Sequence, residues 1–161
     1  YEIAQCLVGS EMCIRDRHDV EAGWLLCEAA RVLEDRQLMD RANRLALDVT
    51  DACLAEGLSD KGYMMYEKKG GRTTGHASWW GQIETMIACV NAWQISGNDV
   101  YLQSADTVWT FVKDCMIDRE YGEWYSDCFD GEPKKDTPKV SMWRCPYHTV
   151  RLGVEIHNRL K

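Results

Sequence analysis

Three places in the chain combine side chains that can move a proton with side chains that can hold a ring-shaped molecule. The first is RHDVEAGWLL at residues 17–26, with His18, Glu21 and Trp24; the second is SWWGQIE, with Trp79, Trp80 and Glu84; the third is MWRCPYH, with Trp143 and His148. Each stands at the expected start of a helix, where spacings of three and four keep Glu21 beside His18 and Glu84 beside Trp80. Histidine is the side chain whose ordinary pKa lies closest to neutrality, so two of them on different helices suit general acid/base work. A pocket lined by two histidines, two carboxylates and several indoles is therefore the candidate site.

Simpler roles account for the neighbouring residues. Asp19 is expected to be an N-cap, accepting a free backbone N–H of the first turn. His76 and His157 lack comparable company and are expected at the surface. Cys145 and His148 have a ligand-like spacing that His18 and Glu21 could complete as a zinc set. The chain offers no second close Cys/His pair, and Pro146 stiffens the segment between the two, so neither a metal nor a cofactor is expected.

The bulk properties agree with a neutral or weakly charged ligand. With 161 residues, 45% of them hydrophobic, the chain suits one globular domain or a piece of a larger one. A formal net charge of −7 without a Lys/Arg stripe argues against nucleic acid, which needs clustered positive charge. No apolar run is long enough to cross a bilayer, and residues 1–17 lack the basic start and apolar centre of a signal peptide, so a cytoplasmic protein with no membrane partner is expected. The eight cysteines (6, 13, 27, 53, 89, 115, 128 and 145) are scattered singly. They read as small core residues rather than disulfide partners.

The elements that must position the site repeat. A shift of 63 positions lays Leu38, Met39, Ala42, Leu45 and Val49 on Tyr101, Leu102, Ala105, Val108 and Val112, and it lays Glu21 on Glu84. Each copy is a helix, a short polar break and a second helix with apolar residues at i, i+4, i+7 and i+11. Helices are expected at about 20–34, 37–56, 78–96, 99–117 and 147–160. A Gly/Tyr segment follows each hairpin, and the second, YGEWYSDCFDGEPKKD, predicts a short β-hairpin around Trp124 and its DG turn. Repeated helical hairpins with long loops on one side form an α/α toroid, in which Glu21 and Glu84 look into the same end of the ring.

RHDVEAGWLL, SWWGQIE, DREYGEW and MWRCPYH together resemble cellobiose 2-epimerases, within the N-acylglucosamine 2-epimerase superfamily, from His18 to the C-terminus. The resemblance implies an all-α (α/α)6 barrel, of which about five helices and the short β-hairpin lie here, and reversible inversion at C2 of a reducing-end sugar, as in cellobiose to glucosyl-mannose. Its site residues carry over as His18 and His148 for the acid/base pair, Glu21 as the carboxylate supporting His18, and Trp24, Trp80, Glu84 and Trp143 around the sugar. Arg17, Gly81 and Thr149 depart from the residues usual in the family, and none of the three removes a group the chemistry needs.

That chemistry starts with the C2 proton of an open-chain aldose, which is acidic because the carbonyl delocalises the charge as an enediolate. Inversion needs a base on one face and an acid on the other. Return of the proton to C1 instead gives an aldose–ketose isomerase, and an N-acylglucosamine or mannose epimerase is a further alternative. A non-catalytic protein-binding module is the reading from a different class. The resemblance also implies that an N-terminal half is missing. Residues 1–16, containing CLVGSEMCIRDR, match no family segment, so they are expected to be a foreign start, and residues 17–161 the C-terminal part of one catalytic domain. A saccharide ligand and a monomeric full-length protein are expected.

Overall fold

In the computed structural model of the chain, residues 18–69 and 72–161 are described, so the expectations for residues 1–16 and for Cys6 and Cys13 lie outside the described residues. Helix α1 runs His18–Val32 and α2 runs Arg36–Gly57. Val20, Trp24, Cys27 and Ala30 of α1 are buried, as are Ala42, Ala46, Val49 and Cys53 of α2, and these spacings give each helix one apolar face. The two approach closely because the contact is built from small residues: a Cβ on Gly23 would stand 3.5 Å from the Cα of Ala46. Asp35 caps α2, its carboxylate accepting from the backbone N–H of Gln37 and Leu38 at 2.9 and 3.1 Å. Asp19 was expected to cap α1, but it lies inside the first turn with Glu21, where both carboxylates meet the positive end of the helix dipole.

The second hairpin repeats the first. Helix α3 (Trp79–Ser96) is buried continuously from Gly81 to Ala92, as befits a helix with neighbours on every side. Ile83 and Ile87 are fully buried, each contributing on the order of 1.5–3 kcal/mol of transfer free energy. It ends at Gly97, whose φ of 70° is the left-handed cap that glycine adopts without Cβ strain. Helix α4 (Val100–Phe111) passes into a π-helical turn over Val112–Met116, so the expected helix to residue 117 is present with its last turn widened. Helix α5 (Tyr147–Arg159) follows the second long loop.

Among the described residues, helix α3 contacts each of the other four helices, with α1 and α5 flanking it as an inner row and α2 and α4 backing that row. The backing helices are linked by the Tyr101 hydroxyl, which donates to Asp51 Oδ1 over 2.7 Å. This is an arc of an α/α toroid. Along its edges apolar side chains remain exposed, among them Leu25 and Leu26 on α1, Leu33 in the turn after it, and Val150 and Val154 on α5. Between α4 and α5 runs an open apolar groove of about 610 Å³, lined by Leu102, Ala105, Trp109, Leu152 and Ile156.

The strands sit in the loops between helices. Strands β1 (Glu67–Lys69) and β2 (Arg72–Thr74) form one antiparallel pair that the sequence did not predict. Strands β3 (Ala77–Ser78), β4 (Asp127–Phe129) and β5 (Glu132–Pro133) form a second sheet in that order. The expected hairpin is β4–β5, turned by Asp130 and Gly131, both at positive φ (55° and 93°). Trp124 lies outside it, in an isolated bridge to Ile117. The added strand, β3, leads directly into Trp79 and ties the start of α3 to the second long loop.

The six described cysteines are free thiols, with Cys27, Cys53, Cys89 and Cys128 buried, Cys115 partly so and Cys145 exposed. His76, expected at the surface, is packed between Tyr66 and Phe129, with ring centroids at 4.4 and 4.9 Å, and stands 3.5 Å from Asp127. The sheet brings these rings together from segments more than fifty residues apart. His157 is exposed, as expected.

Candidate functional site

The first turns of α1, α3 and α5 converge. Ser78 caps α3 through the backbone N–H of Gly81 and so sets where Trp79, Trp80 and Glu84 emerge. On the far side Arg144 anchors the loop before α5: it donates to Ser126 Oγ at 2.7 Å and to the Trp124 carbonyl, and its guanidinium lies 4.8 Å from the Trp79 ring centre. Burial lowers the pKa of Arg144 from its ordinary value, partly offset by Glu123 and Asp127. With Arg144 fixed, Pro146 starts the helix and His148 comes in its first turn.

Glu84 is the centre of the cluster. Its side chain is fully buried, and both carboxylate oxygens are engaged. Oε2 accepts from the Trp24 indole N–H at 3.0 Å, while Oε1 stands 2.7 Å from His148 Nδ1 and 2.5 Å from Arg151 Nη2. Such saturation is what a buried charge requires, because an unpaired carboxylate there would cost several kcal/mol. The same Arg151 nitrogen donates to Glu21 Oε1, also over 2.5 Å. The sequence repeat thus becomes a spatial pair, with Glu21 and Glu84 meeting on one guanidinium.

An ionised carboxylate can only accept, so Nδ1 of His148 carries the proton directed at Glu84. Arg151 Nη2 lies 3.2 Å from that nitrogen, and two donors cannot bond, so this approach is a contact of charge. The arrangement leaves Nε2 of His148 unprotonated in the neutral ring. His148 is also flanked by rings: Trp79 and Trp80 each at 5.9 Å and Tyr147 at 4.7 Å between centroids. Trp80 in turn lies 4.8 Å from the ring of His18, so one indole touches both histidines.

The structure therefore brings together His18, Glu21, Trp24, Trp80, Glu84 and His148. It does not bring in Trp143, which is 85% exposed on the loop before α5. Trp24 is 2% exposed, with its ring between the guanidiniums of Arg151 at 5.1 Å and Arg159 at 5.7 Å, so it shapes the site from behind. Arg151 and Tyr147 escaped the sequence reading. The signal was the i, i+3 spacing from His148 to Arg151, which puts imidazole and guanidinium on one face of α5.

Glu21, Glu84 and His148 present atoms all within 4.8 Å of one another, a set of metal-ligand types. Arg151 already bonds both carboxylates there, and a second cation beside it would meet like-charge repulsion. The set is an ion-pair cluster, and Cys145 is exposed and outside it.

A family model described as N-acylglucosamine 2-epimerase (GlcNAc 2-epimerase) matches residues 11–151. A cellobiose 2-epimerase of Bacteroides fragilis is 39% identical over 144 residues, covering 86% of this chain and 36% of its own length. The crystal structure of a sugar epimerase from a ruminal bacterium superposes with a TM-score of 0.84 at 34% identity, covering 89% of this chain and 37% of that one. The cellobiose 2-epimerase of Bacillus thermoamylovorans B4167 gives a TM-score of 0.77 at 31% identity, with the same two coverages. This chain spans little more than a third of the length of these relatives. The five helices among the described residues are part of an (α/α)6 barrel.

Proposed function

Because the chain belongs to the N-acylglucosamine 2-epimerase family, we propose that it supplies the C-terminal part of a sugar epimerase that inverts C2 of a reducing-end aldose, with cellobiose as substrate and glucosyl-mannose as product. The observation that carries the reading is the pair of histidines on α1 and α5 in contact with one indole, Trp80, with His148 oriented by Glu84. His148 offers Nε2 because Nδ1 is committed to the carboxylate. One histidine takes the C2 proton from the open-chain sugar, the carbonyl accepts the electron pair as an enediolate, and the other histidine returns a proton to the opposite face. Trp80 supplies an apolar surface for the sugar between them, and Glu21 and Glu84 provide negative charge for whichever imidazole is protonated. No metal or organic cofactor takes part in these steps. The substrate is a neutral saccharide and the site is that of a cytoplasmic enzyme, monomeric at full length.

The test is incubation of the full-length protein with cellobiose in D₂O, followed by proton NMR and mass spectrometry. Glucosyl-mannose carrying deuterium at C2 is expected, unchanged by EDTA. His18→Ala and His148→Ala are each expected to lower the rate roughly a hundredfold or more. A ketose product would instead assign aldose–ketose isomerisation, the activity in the name of a D-mannose isomerase of Marinomonas mediterranea that is 26% identical over 99 residues. Absence of exchange at C2 with every aldose tried would leave a binding module as the reading.

A further inference from the structure

We propose that Arg151 is a positioning residue of this site, a single guanidinium that clamps the two repeat-related carboxylates, Glu21 and Glu84, and offsets their charge at His148 so that the imidazole stays available as a base. The inference rests on the epimerase reading and deepens it.

The geometry is specific. Nη2 of Arg151 lies 2.5 Å from Oε1 of Glu21 and 2.5 Å from Oε1 of Glu84, and Nη1 donates to the Tyr147 hydroxyl. The guanidinium also lies 4.4 Å from the Tyr147 ring centre and 5.1 Å from that of Trp24, which fixes its plane. Helices α1, α3 and α5 are thus joined at one point, directly behind His148. Burial acts to lower the pKa of Arg151, but the hydrogen bonds it donates to Glu21 and Glu84 more than reverse this, leaving it above its ordinary value and charged throughout the working range. A lysine would carry the same charge without the planar fork that reaches both carboxylates and the phenol.

The groups facing His148 are Glu84 on α3, Glu21 and, across Trp80, His18 on α1, and Tyr147 and Arg151 on its own helix; Arg144 stands behind Trp79. Two carboxylates so close draw positive charge toward the imidazole. One cation 3.2 Å from Nδ1 opposes that pull. Taking the cation away and taking Glu21 away must therefore act in opposite directions on His148, and no purely structural role of Arg151 predicts that opposition.

The experiment is an imidazole NMR titration of His148 in the full-length protein, assigned by loss of its signals in His148→Gln, alongside kcat/KM against pH on cellobiose. Arg151→Met is expected to move the His148 midpoint and the acidic limb of kcat/KM up by roughly one pH unit. Glu21→Gln is expected to move both down, and Arg151→Lys to keep the midpoint near that of the parent protein while lowering kcat. If Arg151→Met does not fold, Arg151→Gln, which also removes the charge but keeps an N–H donor for the carboxylates, carries the upward arm of the test. Unmoved midpoints, or movement of both variants in the same direction, would overturn the proposal. The titration needs no turnover, so absence of sugar chemistry would sink the epimerase reading and leave this readout standing.

Discussion

Trp24 and Glu84, 60 residues apart, are joined by an indole N–H donated to a fully buried carboxylate oxygen over 3.0 Å. The bond fixes the plane of Glu84 and through it the ring of His148, whose Nδ1 meets the other oxygen at 2.7 Å. Trp24→Phe keeps an aromatic ring in the core and removes the donor together with part of the indole. A stability loss of about 1–3 kcal/mol from the unsatisfied buried acceptor is expected, with a larger proportional loss in kcat than in KM. Urea denaturation with steady-state kinetics checks both, and an unchanged kcat would show that the bond does not orient the site.

Glu84→Gln keeps the shape and removes the charge. The amide can still meet His148 and the indole in part, but it leaves the Arg151 guanidinium with Glu21 as its remaining carboxylate. Epimerisation is expected to fall at least tenfold while circular dichroism stays that of the parent, since an orienting carboxylate contributes to general acid/base catalysis without touching the sugar carbon. Retention of full activity would remove Glu84 from the site.

Arg159 forms a second polar layer below the first. It is buried, and bonds Glu155 at 3.0 Å, Asn91 at 3.0 Å, Gln94 at 2.9 Å and Glu28, again linking α1, α3 and α5. Arg159→Met leaves the buried Asn91 without this donor, while the half-buried Glu28 keeps Arg31 as a partner. A destabilisation of about 1–3 kcal/mol is expected, from the buried Asn91 oxygen left unpaired. A melting temperature close to the parent's would contradict it.

The loop carrying Trp124 depends on Asp118, whose carboxyl is held down to about 2, foremost by its hydrogen bond with Lys139 and then by the backbone N–H groups of Tyr121 and Glu120. The folded pKa lies below the ordinary value of 3.8, so the stabilisation is complete above about pH 4 and is lost as pH falls toward 2. The difference in melting temperature between the parent protein and Asp118→Asn should be largest near neutrality and should close over that acid window. A difference that persists at pH 2 would assign it to something other than this carboxylate.

Residues 1–161 expressed alone expose the apolar edges of α1 and α5 and the groove between α4 and α5. Contiguous apolar surface beyond a few hundred Å² is a liability for a monomer. Self-association is expected on size-exclusion chromatography, without cellobiose epimerisation. A monodisperse, active monomer would show that the described helices suffice.

The helices were legible in the sequence because their information is local. Apolar spacing in LALDVTDAC, the Asp35 cap and Gly97 each act within a few residues, and the five helices lie within a few residues of their expected limits. The Asp130–Gly131 turn belongs to the same class, since it needs positive φ at two adjacent positions. Strand β3 did not, because two residues cannot show a period and their partner lies fifty residues on. At the site, the repeat announced that Glu21 and Glu84 are equivalent, and the motif residues announced the histidines. What the pair does was decided by tertiary structure: Arg151 arrives from α5 to bond both carboxylates, Glu84 turns to His148, Trp24 is buried behind them, and Trp143 is left outside. Charge pairing among buried groups depends on which helices meet, and spacing along one helix says which side chains share a face but leaves open what that face will meet.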